Sequence, residues 1–231
     1  LRNRLVLPAT LTNYARDSLV TDRWQHFLVE RAKGGTALVV SEVIAVDPQA
    51  LAHSAIVAGY DSRNDTLLAQ TAERIHAAGG HIVGQLWHPG RQQLWQPSHS
   101  PMGVSDQPDA YSWTVPHVMS TADLERLVEA YIQTAHRLAE LGFDGVELHG
   151  AHGYLITQLL SPWSNSRDDR FGRDRAGRAR FCLDISEGIR KCCPDGFVLG
   201  LKMPADEGVE GGIDPDEAFA LTQLLAAKKS V

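Results

Sequence analysis

Cysteine is scarce: Cys182, Cys192 and Cys193 are all there are in 231 residues. They make no disulfide framework, and the adjacent pair has no metal-ligand spacing, so free thiols in a cytoplasmic protein are expected. Apolar runs are short. None approaches the roughly 18 residues of a membrane span, and the first residues carry no signal-peptide core. Basic residues are not in excess. Lys plus Arg is 22 against 28 for Asp plus Glu, a net charge of −6 with no basic run. This argues against nucleic acid and against an anionic membrane as partner. Glycine is missing after the first apolar run, which continues Pro8-Ala9-Thr10-Leu11-Thr12-Asn13. The dinucleotide fingerprint G-x-G-x-x-G is therefore absent, as is the P-loop pattern. With 43% hydrophobic and 22% charged residues, the chain has an ordinary globular composition, and global disorder is excluded.

Five apolar runs read as strands: Leu5–Pro8, Ala37–Ser41, His81–Leu86, Gly145–His149 and Val198–Met203. They are continuous rather than alternating, which suits buried parallel strands. Helical patterns lie between them, over Asp22–Lys33, Asn64–Ala78, Ser120–Leu141, Arg175–Lys191 and from Asp214-Pro215 to about Lys228. Ser120 with Asp123 three residues on predicts an N-cap, and Gly34-Gly35, Gly79-Gly80 and Gly142 predict helix stops. The β-α alternation calls for a parallel sheet with helices outside it. Without a Rossmann fingerprint, a (β/α) barrel is favoured over an open doubly wound sheet. The stretch from Gly90 to Met119 is irregular and follows the third strand, on the face where barrel active sites sit.

Chemistry is therefore expected at the strand C-termini. The fourth strand runs into His149-Gly150-Ala151-His152-Gly153-Tyr154. A lone histidine there would read as structural. Two imidazoles threaded by glycines can instead hold one oxygen as it gains charge, and a nearby phenol can supply a proton. The same pair suits a metal, with Asp206 and Glu207 as the nearest third ligands, but oxyanion binding is preferred and no metal is expected. Gln85 ends the third strand, either as a ring-edge ligand or as a polar residue satisfied within the barrel. His88 and Arg91 either bind an anion or anchor the long loop. Lys202, inside an apolar strand, needs an anionic or electron-rich neighbour, and a Schiff-base role competes. Thr10 ends the first strand. The second ends in Ser41-Glu42-Val43, where Glu42 is either a base or, the favoured reading, a buried partner of an arginine. The segment Ser161–Gly172 reads as a solvated, salt-bridged loop below the site.

Taken together, these segments resemble the old yellow enzyme family of flavin-dependent NADH:flavin oxidoreductases, or ene-reductases. The resemblance runs from Asn3-Arg4-Leu5-Val6-Leu7-Pro8 through Ser41-Glu42, Gln85-Leu86-x-His88-x-Gly90-Arg91 and Gly145–Leu155 to Leu160-Ser161-Pro162-x-x-Asn165-x-Arg167-x-Asp169. It implies an eight-stranded barrel holding FMN, with NAD(P)H as reductant and an activated alkene as hydride acceptor. By the same resemblance, His149 and His152 hold the activating oxygen and Tyr154 protonates the substrate. Pro8, Ala9, Thr10 and Val43 lie against the flavin, Gln85 binds its pyrimidine edge, and Lys202 sits near N1 and O2.

Four departures from the family pattern stand out. Lys202 replaces the usual Arg, keeping the charge but losing the fork. Arg173 stands where a second glycine is usual, and Ala176-Gly177-Arg178 replaces Glu-Asn-Arg. The phosphate grip that the family builds after its seventh and eighth strands has no counterpart in this sequence. Strand starts near 5, 37, 81, 145 and 198 give about 48 residues per unit, so eight units need about 390 residues. Residues 1–231 are thus expected to form an incomplete FMN-binding TIM-barrel domain of about five βα units, cut at both ends. Homo-oligomerisation of a longer chain stays open.

Overall fold

The computed structural model describes residues 1–93, 100–109 and 113–227. Strand β1 (Val6–Leu7) is shorter than expected and leads through an irregular segment to helix α1 (Asp22–Lys33). The Thr21 hydroxyl caps α1 by accepting from the Trp24 N–H, and Trp24, Leu28 and Ala32 form its buried face. Strand β2 (Leu38–Ala45) and the short β3 (Val57–Ala58) precede helix α2 (Asp65–Ala77). Strand β4 (His81–Trp87) follows, and then the short pair β5 (Met102–Gly103) and β6 (His117–Val118).

Helix α3 (Thr121–Glu140) starts with the expected capping box between Ser120 and Asp123. Its stripe buries Leu124, Leu127, Tyr131 and Leu138 completely, each worth about 1.5–3 kcal/mol by area. Strand β7 (Gly145–His149) and the short helix α4 (Leu155–Leu160) come next. They are followed by helix α5 (Arg175–Cys192), strand β8 (Val198–Lys202) and helix α6 (Pro215–Ala227).

The strands pair in parallel in the order β1-β2-β4-β7-β8, with β3 joined to the far end of β2. The helices cover the outside, and α3 packs on α5 through Tyr131 and Phe181, whose rings meet edge-to-face at 5.9 Å. Among the described residues this is an α/β half-barrel of five βα units, with β1 and β8 at its edges. No helix among them is long and apolar enough to cross a membrane.

Three expectations need correction. First, β2 does not stop at Ser41 but runs to Ala45 through a bulge. Val40 pairs with Val83 and Val43 with Gln85, so β2 spends one residue more than β4. The polar pair Ser41-Glu42 sits in that bulge and gives it the look of a strand end. Second, Glu42 is buried, as expected, but its partner is no arginine. It accepts from the Thr12 N–H and hydroxyl. Third, Ser161–Gly172 is salt-bridged, as expected, but only partly solvated. Ser161, Ser164 and Asn165 are buried. Asn165 donates to the carbonyls of Leu159 (2.6 Å) and Phe171 (2.8 Å). Arg167 pairs with Asp169 and donates to the Met119 carbonyl at 2.6 Å. Arg173 adopts φ +68°, a left-handed conformation, which accounts for glycine as the usual residue at that position.

The Gly90–Met119 stretch is less irregular than its sequence suggests. Gly90–Gln92 form a 3-10 turn and β5 pairs with β6, while residues 94–99 and 110–112 lie outside the described residues.

Candidate active site

Register builds the site in two layers. Val43 lies opposite Gln85, Gln85 opposite Glu147, and Glu147 opposite Gly200. Because side chains alternate along a strand, residues two positions on share the same face. The upper layer is therefore Ala45, Trp87, His149 and Lys202, with His149 directly opposite Lys202. Trp87, His149 and Lys202 of this layer, with Val43 and Gln85 of the layer below, line a cavity of about 260 Å³.

Of the residues expected at the site, Ala9, Thr10, Val43, Gln85, His149, His152, Tyr154 and Lys202 all line this cavity. Pro8 does not line it and is exposed. The cavity wall also includes Leu11, Ala52, His53, Ile56, Trp87 and Gln92, which the sequence reading had not selected. For Trp87 the signal was present, since it stands two residues beyond Gln85 on one strand. Nothing local marks Ala52, His53 and Ile56, which arrive from the connection after β2. Gln92 donates to the His152 carbonyl at 3.0 Å, and so ties the loop after β4 to the site.

The turn after β7 shapes the histidine pair. His152 (φ +60°) and Gly153 (φ +74°) are both left-handed, and a Cβ at Gly153 would meet Gln92 Nε2 at 2.5 Å. A non-glycine residue held at φ above zero stores strain of order 1–3 kcal/mol. It folds His152 back so that its ring lies 5.0 Å from that of His149 and 6.3 Å from Tyr154. Tyr154 in turn stands 5.0 Å from His149 and 5.3 Å from Trp87, edge-to-face in both cases.

Electrostatics keep these rings neutral. Burial, with the charges of His152 and Lys202 added, pushes His149 down to about 3. Burial, with Lys202 second, also lowers His152. The Ala151 N–H approaches Nδ1 of His149 at 3.4 Å, which leaves the ring proton on Nε2 as a donor. Burial raises Tyr154, so the phenol keeps its proton at neutral pH.

In the lower layer, Gln85 Nε2 donates to Glu147 Oε1 at 2.6 Å. Among the described residues no carboxylate pairs with Lys202. Asp206 and Glu207 are engaged within their own loop, with Asp206 accepting from the Gly208 N–H at 2.6 Å and Glu207 from the Ile213 N–H at 2.7 Å.

His88 and Arg91 act as anchors outside the cavity lining. His88 is fully buried and pushed by burial down to about 4, with Nδ1 accepting from the Gly90 N–H at 3.0 Å. Arg91 stacks over Trp163 at 4.8 Å and donates to Gln107 at 3.3 Å.

A parallel half-barrel with imidazoles, a phenol, an amide and a lysine converging at the strand C-termini defines an enzyme of the (β/α)-barrel class. Residues 1–230 match the NADH:flavin oxidoreductase / NADH oxidase family, and the chain belongs to it. It is 33% identical over 229 residues to an NADH oxidase of Thermoanaerobacter brockii, covering 97% of this chain and 35% of that protein. Its fold matches 2-naphthoyl-CoA reductase at a TM-score of 0.92 with 28% identity, over 98% of this chain and 37% of the other. Morphinone reductase in complex with tetrahydroNAD matches at a TM-score of 0.87 with 25% identity, over 98% and 67%. The chain spans about a third of the length of the NADH oxidase it matches.

Proposed function

We propose that this chain carries the substrate-side half of an FMN-dependent oxidoreductase that takes electrons from NAD(P)H and reduces an activated alkene, such as an enone or enal. The observation that carries the reading is the convergence of His149, His152, Tyr154, Gln85 and Lys202 on one cavity. The residues suit a flavin. Among the described residues, Lys202 faces the cavity without a carboxylate partner, and Gln85 is held through its nitrogen with no protein donor to its carbonyl oxygen. When bound, FMN supplies hydride transfer between nicotinamide and substrate.

The chain's own groups do the rest. Ala9, Thr10 and Val43 would form a wall for the flavin ring, Gln85 Oε1 would accept a hydrogen bond from it, and Lys202 would offset its negative charge. Neutral His149 and His152 donate to the substrate oxygen and stabilise the charge it gains. Tyr154, which holds its proton at neutral pH, delivers it to the carbon next to the activating group. The domain reading belongs to the same proposal: residues 1–231 are an incomplete FMN-binding barrel, supported by the share of the relatives that they cover.

The test is spectroscopic. The protein carrying this chain should bind FMN, turn yellow, and bleach with NAD(P)H under anaerobic conditions. Protein that stays colourless after incubation with FMN defeats the proposal.

A further inference from the structure

At the opposite end of the sheet, three side chains converge that the site above does not use. His76 lies in the last turn of α2, His81 opens β4, and Asp144 immediately precedes β7. His76 Nε2 and His81 Nδ1 each approach a different oxygen of the Asp144 carboxylate, both at 2.8 Å. The three potential ligand atoms all lie within 4.8 Å of one another. From these contacts we infer a binding site for a divalent transition-metal cation.

Three observations carry it. First, the two nitrogens lie within 4.8 Å of each other although each sits on its own carboxylate oxygen. An imidazole on each oxygen of an in-plane, splayed arrangement would hold them much further apart. A cation midway between nitrogens at most 4.8 Å apart lies no more than about 2.4 Å from each, against about 2.0–2.1 Å for Zn–N. Tetrahedral geometry at that bond length needs the nitrogens about 3.3 Å apart, so closure of up to about 1.5 Å by these two exposed side chains completes the site.

Second, Asp144 is fixed before any cation arrives. Its N–H donates to the Ile82 carbonyl at 2.9 Å, its carbonyl accepts from the Val198 N–H at 2.9 Å, and its Oδ2 accepts from the Ile82 N–H at 2.8 Å. That last bond orients the carboxylate, as outer partners of metal ligands do.

Third, the side chains are open to solvent, with His76 41%, His81 46% and Asp144 25% exposed. Water can reach the remaining coordination positions. The nearby Arg2 guanidinium is already committed to the carbonyls of Ala78 (2.8 Å), Ala32 (2.6 Å) and Thr36 (3.1 Å).

Two imidazoles and one carboxylate select Zn2+, Co2+, Ni2+ or Cu2+ over Mg2+ and Ca2+, which prefer all-oxygen shells. Ligation uses the ring nitrogen that approaches Asp144, and that nitrogen gives up its proton when the cation binds. Strand β4 is seven residues long, which places His81 about 20 Å from Trp87 in the cavity wall. The cation therefore clips together the end of α2, the start of β4 and the turn before β7, and takes no part in the cavity's chemistry.

The test is calorimetric titration of chelator-treated protein with Zn2+, alongside thermal unfolding with and without Zn2+. The expected result is one saturable equivalent and a raised midpoint. His76→Gln and His81→Gln should each weaken binding by about tenfold or more and abolish the midpoint shift. Both residues are on the surface, and far-UV circular dichroism checks that the variants fold. His149→Gln should leave this equivalent in place. No saturable binding at millimolar Zn2+, or binding that both surface variants leave unchanged, overturns the inference.

Discussion

Gln85 and Glu147 face each other across β4 and β7, and the Gln85 amide nitrogen donates to the Glu147 carboxylate at 2.6 Å. This single bond decides which end of the amide the cavity sees. With the nitrogen committed, Oε1 is left as an acceptor. In Glu147→Gln the pair can exchange roles, and Gln85 can turn its nitrogen inward. A hydrogen bond to a charged group is worth about 1.5–3 kcal/mol, so FMN affinity should fall by about tenfold or more, read by quenching of flavin fluorescence. Unchanged affinity would separate Glu147 from the orientation of Gln85.

Tyr154 stands 5.0 Å from the His149 ring, and burial raises its phenol. If it is the proton donor, Tyr154→Phe should slow reoxidation of reduced enzyme by an enone by about 10²- to 10⁴-fold. Flavin reduction by NAD(P)H should continue. Stopped-flow absorbance separates the two half-reactions, and an equal loss in both would assign Tyr154 a different role.

Acid should destabilise the fold through its buried histidines. His88 and His149 are held neutral down to about 4 and about 3 respectively, whereas in the unfolded chain they protonate below about 6.5. As pH falls through this window the unfolded state gains protons that the native state refuses, so stability declines. Each histidine should cost about 2 kcal/mol between pH 7 and pH 5. Urea unfolding at the two pH values measures it, and His149→Asn should remove about half of the combined effect.

Arg167 is the keystone of the segment below the site. It holds Asp169 and the Met119 carbonyl, and its side chain is 9% exposed. Asp169 is drawn down to about 2, chiefly by that guanidinium. Arg167→Met should cost about 1–3 kcal/mol, because a part-buried carboxylate loses its charged donor. Chemical denaturation gives the value, and a loss within experimental error would mean that water replaces the guanidinium.

The helices with clear stripes and glycine stops were legible in the sequence, α1 and β7 to the residue. Their apolar period and caps are local signals. Helix α4 was not legible, because all six of its residues are buried and a fully buried turn has no polar face to betray its period. Eight of the nine residues expected at the site do line one cavity, since motif position fixes where each strand ends. The Gln85–Glu147 pair was invisible for the opposite reason. It joins residues 62 apart in the chain, and only strand register brings them together. The partner of Glu42 was misjudged because Thr12 comes from the irregular segment after β1, which has no periodicity to read.

The bulge in β2 has a consequence for the electrical character of the cavity. Uniform pairing onward from Val40 and Val83 would set Glu42, not Val43, opposite Gln85. Two carboxylates would then flank one amide and outnumber the lone ammonium of Lys202. The inserted residue turns the acid outward to Thr12 and presents valine instead. An apparent flaw in a ladder of hydrogen bonds thus works as a charge filter, keeping the Glu42 carboxylate out of the chamber.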